Sequence, residues 1–380
     1  MVGLAEMTKR LAPVRRRPRT SRLPAGRRMV EVEDFGLNPG NLKMLTYSPP
    51  GLASGSPLVV TLHGCGQQAE AFSEQSGWLT LADRFGFAVL AVEQLSANNV
   101  NRCFNWFEPV DIVRDLGEAA SIAAMVRHAI SRQDADPGRV FVTGLSAGGA
   151  MTAVMLAAYP DLFAAGAVIA GLPYRIATGV GQAIGAMQGR GAHRSETLAA
   201  LVRAAGPGAG VHPRITIWHG DADDTVGDGN AAALVSQWAS VHGLDETTAE
   251  TEDLPGRTRL RLRAVGSDTV LVESNLVHGL GHGTPLAATG PEALGAVAPY
   301  MLEAGISSTL EIARFWGLAG AADTASIAVP ATAAIPKAAP AASPASSRLG
   351  DQVLSAVTDH VSPTVRNVIE KALRAAGLKG

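Results

Sequence analysis

Cysteine and aromatic residues are scarce in this chain, and long apolar runs are missing altogether. Two cysteines among 380 residues, Cys65 and Cys103, are too few for a structural zinc site or a disulfide-built scaffold, though they could form one bridge. No stretch approaches eighteen consecutive apolar residues, which excludes a transmembrane helix. The basic beginning lacks the apolar core of a signal peptide, being broken by Pro13, Pro18 and Pro24, so no export signal is expected. Strong charge of one sign is also absent. Thirty-two basic and thirty-four acidic residues leave a net charge of -2, and no nucleic-acid partner is expected. Hydrophobic residues make up 47% and charged ones 17%, which excludes a disordered chain or a coiled coil.

The charge is unevenly spread. Residues 1–28 carry nine Lys/Arg against one acid, Glu6, and read as a flexible basic arm. Met29–Phe35 and Leu42–Ser48, separated by Asn38-Pro39-Gly40, read as a leading hairpin. Apolar strands are expected at Leu58–Leu62, Phe87–Val92, Arg139–Thr143, Ala164–Ala170, Ile215–Trp218 and Val270–Glu273. Helices are expected at Asp111–Arg132 and Ala147–Tyr159, and an insertion over the sheet edge at Gly171–Gly210. Fully apolar strands alternating with helices imply an α/β fold, a mostly parallel sheet covered on both faces, occupying residues 29–320. Residues 321–349 have the Ala/Pro/Ser composition of a linker. Within 350–380, Val365, Val368, Ile369, Ala372 and Leu373 repeat at helical spacing after Ser362-Pro363. That pattern predicts an amphipathic helix able to dock on the domain, on a second copy, or on a hydrophobic granule surface.

Gly144-Leu145-Ser146-Ala147-Gly148 lies between a predicted strand and a predicted helix, the context of a nucleophile elbow. Side chains at the two glycines would collide with the neighbouring strand and helix. Ser146 is therefore the candidate nucleophile, and it needs a base and an acid to orient that base. In this fold the acid and then the base follow the serine along the chain. Asp221, Asp223 and Asp224 compete for the acid in His219-Gly220-Asp221-Ala222-Asp223-Asp224-Thr225-Val226, and the spacing favours Asp223. His278 and His282 compete for the base, and His282, between two glycines, is better placed to cross to the elbow. His63 and His219, each before a glycine at a strand end, read as loop-organising residues. His63-Gly64-Cys65-Gly66 occupies the position of the oxyanion loop, which makes the amides of Cys65 and Ala147 the expected donors. A Cys65–Cys103 disulfide would clamp that loop to the Asn101–Phe107 loop. Trp78, Trp106, Phe107 and Trp218 could line an apolar pocket, with Trp106 the first candidate for substrate contact and core packing its rival. No metal or cofactor is required.

Leu62-His63-Gly64-Cys65-Gly66-Gln67, Asn105-Trp106-Phe107, the elbow with Gly149, Trp218-His219-Gly220 with Asp223 and Val226, and Gly281-His282 together resemble the polyhydroxybutyrate depolymerase family. Feruloyl and acetylxylan esterases are close to it. The resemblance spans about residues 30 to 310. It implies an α/β-hydrolase fold and a serine esterase acting on short-chain polyhydroxyalkanoates or their oligomers. A feruloyl or acetylxylan carboxylesterase is the alternative, and a granule-binding protein with a vestigial site a second one. Relatives are often extracellular, with the cytoplasm as the other compartment. Where similar sequences carry Trp-Pro after the base, Gly283-Thr284-Pro285 stands here, which implies a different pocket edge.

Overall fold

The computed structural model describes residues 28–189, 195–208 and 212–320. The expected arm up to residue 27, the linker 321–349 and the C-terminal helix 350–380 lie outside the described residues. Arg28, the last residue of the expected arm, is docked. Its backbone N–H donates to Glu70 Oε1 (2.7 Å), and its guanidinium donates to the Tyr47 hydroxyl (2.7 Å) and pairs with Asp83 and Glu74.

The chain order is β1 (Val30–Val32), β2 (Lys43–Tyr47), β3 (Ser56–Leu62), α1 (Ala69–Gln75), α2 (Trp78–Phe85), β4 (Ala88–Glu93), α3 (Gly117–Gln133), β5 (Ala135–Leu145) and α4 (Ala147–Ala158). It continues through β6 (Ala165–Ile169), α5 (Val180–Met187), α6 (Ser195–Ala205), β7 (Arg214–Gly220), α7 (Gly229–Val241), β8 (Glu250–Leu254), β9 (Arg257–Arg263) and β10 (Val270–Val277). A small parallel pair, β11 (Thr284–Leu286) and β12 (Met301–Glu303), and α8 (Ser308–Phe315) complete it. The ten-stranded sheet runs β1-β2-β4-β3-β5-β6-β7-β10-β9-β8. From β4 to β10 neighbouring strands are parallel; β1-β2-β4 at one edge and β10-β9-β8 at the other are antiparallel.

The apolar strands follow from having a covered face on each side. Alternate side chains of a strand point to opposite faces. Leu58, Val60 and Leu62 of β3 accordingly join a core with α3, α4, α6 and α7, while Val59 joins Phe72, Trp78 and Ile312 of α1, α2 and α8. All four are fully buried, and burying each contributes roughly 1.5–3 kcal/mol.

Two expectations are corrected. The helix read from Asp111 begins at Gly117, because Asp115 and Gly117 take positive φ (65° and 48°). Asp111 instead folds back, its Oδ1 accepting the Glu118 N–H (3.1 Å). The hairpin β8–β9 was not expected at all. Its text, Glu250–Leu254 and Arg257–Arg263, is charged rather than apolar, since it forms the exposed sheet edge and pairs Glu250 with Arg263 and Glu252 with Arg259 across the strands.

Candidate active site

The carboxyl ends of the parallel strands carry every candidate site loop: His63–Gln67 after β3, Ser146 after β5, Asp221–Val226 after β7 and His278–His282 after β10. Such sheets place their sites at this edge.

Ser146 sits at φ 58°, ψ −117°, between β5 and α4, a conformation that costs about 1–3 kcal/mol and must be imposed by its surroundings. Two close approaches impose it. A Cβ on Gly148 would lie 2.1 Å from the Leu62 carbonyl oxygen and 2.6 Å from that of His63; one on Gly144 would lie 2.3 Å from the Gly148 carbonyl oxygen. The obstacles are backbone atoms of β3 and of the turn itself, so neither glycine can be exchanged without moving the elbow. The Ser146 N–H donates to the Ile169 carbonyl on β6 (2.9 Å), tying the turn to the sheet.

The structure brings Ser146, His282 and Asp223 into one line. His282 Nε2 is 2.9 Å from Ser146 Oγ, and His282 Nδ1 is 2.7 Å from Asp223 Oδ2. A carboxylate oxygen can only accept, so Nδ1 carries the imidazole proton and Nε2 faces the hydroxyl as an acceptor. Asp223 is well prepared for this. Its Oδ1 accepts the N–H groups of Thr225 (2.9 Å) and Val226 (2.8 Å). Burial pushes its carboxyl up, but hydrogen bonds from His219, His282 and Val226 outweigh that and hold it well below the usual carboxylate range. His219 Nε2 lies 2.8 Å from the Val226 carbonyl oxygen and 3.5 Å from Asp223 Oδ2; its N–H is shared between the two acceptors, and His219 organises the loop of Asp223.

The competitors are elsewhere. His278 is half exposed and meets Asp221 (Nδ1 to Oδ2, 3.1 Å), whose Oδ1 accepts the Gly279 N–H. This second His–Asp pair, with the Ala222 N–H donating to the Leu280 carbonyl (3.1 Å), staples the loop of the acid to the loop of His282.

On the opposite side, the expected oxyanion loop abuts the elbow, Gly64 packing against Leu145. The Gly64 N–H is held by Gln67 Oε1 (2.8 Å) and the Gly66 N–H by the Asn101 carbonyl (2.8 Å), which leaves the Cys65 N–H between them. Ala147 is the first residue of α4, and the first N–H groups of a helix have no intrahelical acceptor. His63 is fully buried and neutral. Its Nδ1–H donates to the Gly64 carbonyl (2.7 Å) and its Nε2 accepts the Gln94 N–H (3.0 Å). Burial, with the charge of Arg102 adding to it, pushes its pKa down to about 4 against the bond to Gly64.

Cys65 and Cys103 are joined by a disulfide. Opening a cross-link of 38 residues' separation costs about 3–4 kcal/mol on the chain-entropy view, and here it also frees the loop bearing the Cys65 amide. Cys103→Ser is expected to lower the melting temperature and to cut kcat about 10- to 100-fold, approaching the loss of one oxyanion donor. Steady-state kinetics with and without reductant check this, since reductant should affect only the unaltered chain.

Of the four aromatics expected near the pocket, Trp78 and Trp218 belong to the core. Trp78 is fully buried, stacked on Trp316 at 5.3 Å, and Trp218 lies on β7 beneath the guanidinium of Arg257. Trp106 is 5% exposed, set edge-on to Phe107 and packed in a cluster with Ala147, Ala150, Leu172, Ile176 and Val226. That cluster sets it against the first turn of α4. Gly283-Thr284-Pro285, directly after His282, runs buried into β11. Tyr300, set edge-on to His282 at 6.0 Å, was not anticipated. It sits far along the chain from any motif, and only the pairing of β11 with β12 brings it back.

A strand-to-helix serine with its imidazole and carboxylate, on a mostly parallel sheet between helical layers, defines an α/β-hydrolase. The profile of the family described as Esterase PHB depolymerase matches residues 42–262. The chain is 42% identical over 294 residues to the poly(3-hydroxyalkanoate) depolymerase C of Paucimonas lemoignei, which covers 77% of this chain and 70% of that protein. It is 34% identical over 266 residues to feruloyl esterase B of Talaromyces stipitatus, covering 68% and 72%. Among solved structures it is similar to the acetyl xylan esterase from Aspergillus awamori, with a TM-score of 0.65, 28% identity, and coverage of 77% of this chain and 99% of that one. The chain belongs to the Esterase PHB depolymerase family, and it is a carboxylic ester hydrolase.

Proposed function

We propose that this protein is a serine esterase that cleaves short-chain poly-3-hydroxyalkanoates or their oligomers through an acyl-enzyme. The unbroken relay from Ser146 through His282 to Asp223 carries the reading. Ser146 Oγ attacks the ester carbonyl while His282 Nε2 takes its proton; the carbonyl oxygen becomes an oxyanion held by the Cys65 and Ala147 amides. Collapse of the tetrahedral intermediate breaks the bond to the alcohol, which leaves with the proton from His282. Water then repeats the sequence on the acyl-enzyme, returning the acid and free Ser146. Asp223 stays ionised throughout and holds the imidazole in the working tautomer.

For the substrate, the 42% identity to a depolymerase exceeds the 34% to a feruloyl esterase, and this supports the polyester reading. Trp106 stiffens the wall behind Ala147. The disulfide beside the oxyanion loop supports work in an oxidising compartment, outside the cytoplasm. Feruloyl or acetylated-sugar esters are the second reading, favoured by the likeness to the acetyl xylan esterase.

Two measurements test this. A p-nitrophenyl alkylphosphonate should label Ser146 stoichiometrically, as read by peptide mass spectrometry, and stop turnover. Hydroxybutyrate oligomers should exceed feruloyl and acetyl-sugar esters in kcat/KM by about tenfold or more, a difference of about 1.4 kcal/mol in transition-state binding. The reverse order would give the site to the second reading.

A further inference from the structure

Behind the oxyanion loop lies a buried carboxylate that the relay does not use. Glu118, the second residue of α3, is 1% exposed. Three N–H groups converge on it. Its Oε1 accepts from the side-chain amides of Gln94 and Asn105 (2.8 Å for the latter), and its Oε2 accepts the Asn105 backbone N–H (2.9 Å). We propose that Glu118 is a positioning residue for the oxyanion loop, its ionised form holding the Cys65 amide in place and its protonation loosening that hold. This rests on the reading of Cys65 as an oxyanion donor.

Each donor on Glu118 is the start of a path to the oxyanion loop. The Gln94 side chain also donates to the Cys103 carbonyl (3.1 Å), next to the disulfide with Cys65, while the Gln94 backbone N–H holds His63 and thereby the Gly64 carbonyl. Asn105 Oδ1 accepts from the Asn99 side chain (3.0 Å), whose own oxygen accepts the Asn101 N–H (3.0 Å); the Asn101 carbonyl then holds the Gly66 N–H. Amide orientation along these paths is not free. Gln94 Oε1 already accepts from the Leu95 N–H and the Asn98 side chain, so its NH2 must face Glu118. A carboxylate, with no proton of its own, satisfies all three donors at full strength. A glutamine aims its NH2 at a donor and must break one bond, and a protonated carboxyl accepts only weakly through its hydroxyl oxygen.

The groups facing Glu118 decide how readily it ionises. Burial comes first and pushes its pKa up to about 8; the Asp111 carboxylate, whose Oδ1 accepts the Glu118 N–H, adds to that, and the Asn105 and Gln94 bonds oppose it. Glu108 acts on Asp111. On the other side stand neutral His63 and Arg102, which donates to the Gly66 carbonyl (3.0 Å). The carboxyl therefore gains its charge as pH rises through the range just above neutrality, in which a histidine base alone gives a flat profile.

The test compares the unaltered enzyme with Glu118→Gln on p-nitrophenyl butyrate between pH 5.5 and 9.5. The expected result is a second rise in kcat centred near pH 8 in the unaltered enzyme, with KM steady. In Glu118→Gln that rise is lost, and kcat at pH 9 falls about tenfold or more with KM changed less than about twofold, since an oxyanion donor acts in the transition state. A variant with the full kcat and the same rise overturns the proposal, as does a fall in kcat/KM that comes from KM alone. If circular dichroism shows the variant unfolded, the unaltered enzyme decides: a kcat profile flat from pH 7.5 to 9.5 overturns it. Phosphonate labelling of Ser146 is independent of Glu118, so failure here is distinguishable from failure of the esterase reading.

Discussion

Ser146→Ala is expected to lower kcat on soluble esters by about 10⁴-fold or more while leaving the fold intact. The size follows from what the hydroxyl does. In the proposed mechanism it is the only atom of the relay that forms a bond to the substrate, and no other group of that line can replace it. Residual turnover would come from the oxyanion amides and binding alone. The fold is spared for a local reason. The unusual φ of Ser146 is imposed by the Gly144 and Gly148 contacts and by the bond from its N–H to Ile169, none of which uses the side chain. Alanine keeps that backbone and loses one hydrogen bond, to His282. Kinetics with a thermal melt of the same preparation check both halves. Undiminished turnover in a folded variant would remove Ser146 from the nucleophile's role.

How much of this was legible in the sequence depends on whether a residue's partners are local. The central strands were readable because burial on both faces leaves an unbroken apolar run, as in Leu58–Leu62. The elbow was readable because its constraint is steric and confined to five residues. Asp223 and His282 were readable from their place after strand ends, and His282 was preferred to His278 for its position between two glycines; the structure seats each histidine beside a different aspartate. Of the network of Gln94, Asn105 and Glu118, Asn105 alone fell within a motif, and nothing in the text joined it to the other two. Read from the sequence, Glu118 falls inside the helix expected from Asp111, where a glutamate reads as part of a solvated face. Its burial depends on the loop of residues 94–105 folding over it, which no periodicity records. The charged hairpin β8–β9 was hidden for the opposite reason: its outward side chains are charged and paired across the strands, and the core contacts of Leu260 and Leu262 are set among them.

Asp223→Asn is expected to cost about 10⁴-fold in kcat with little change in KM, although it alters no bond to the substrate. The loop dictates how the new side chain must sit. The Thr225 and Val226 N–H groups need an acceptor, so the asparagine oxygen takes the place of Oδ1 and its NH2 is forced toward His282. A donor there compels Nδ1 to accept, which moves the imidazole proton to Nε2. The face toward Ser146 Oγ then carries a proton instead of a lone pair and cannot take one from the hydroxyl. Flipping the amide gives no escape, since it would set NH2 against two backbone N–H groups. The same bonds carry a stability consequence with a definite sign. The Asp223 carboxyl is held below its ordinary value of 3.8, so its stabilisation is present above about pH 4 and is lost as the pH falls further. Asp223→Asn should therefore melt at a lower temperature than the unaltered enzyme at pH 7, with the gap narrowing in acid. Kinetics at pH 7 and melting curves from pH 7 to pH 2 read the two effects separately. Loss of activity with an unchanged melting gap across that range would leave the tautomer argument standing and remove the electrostatic one.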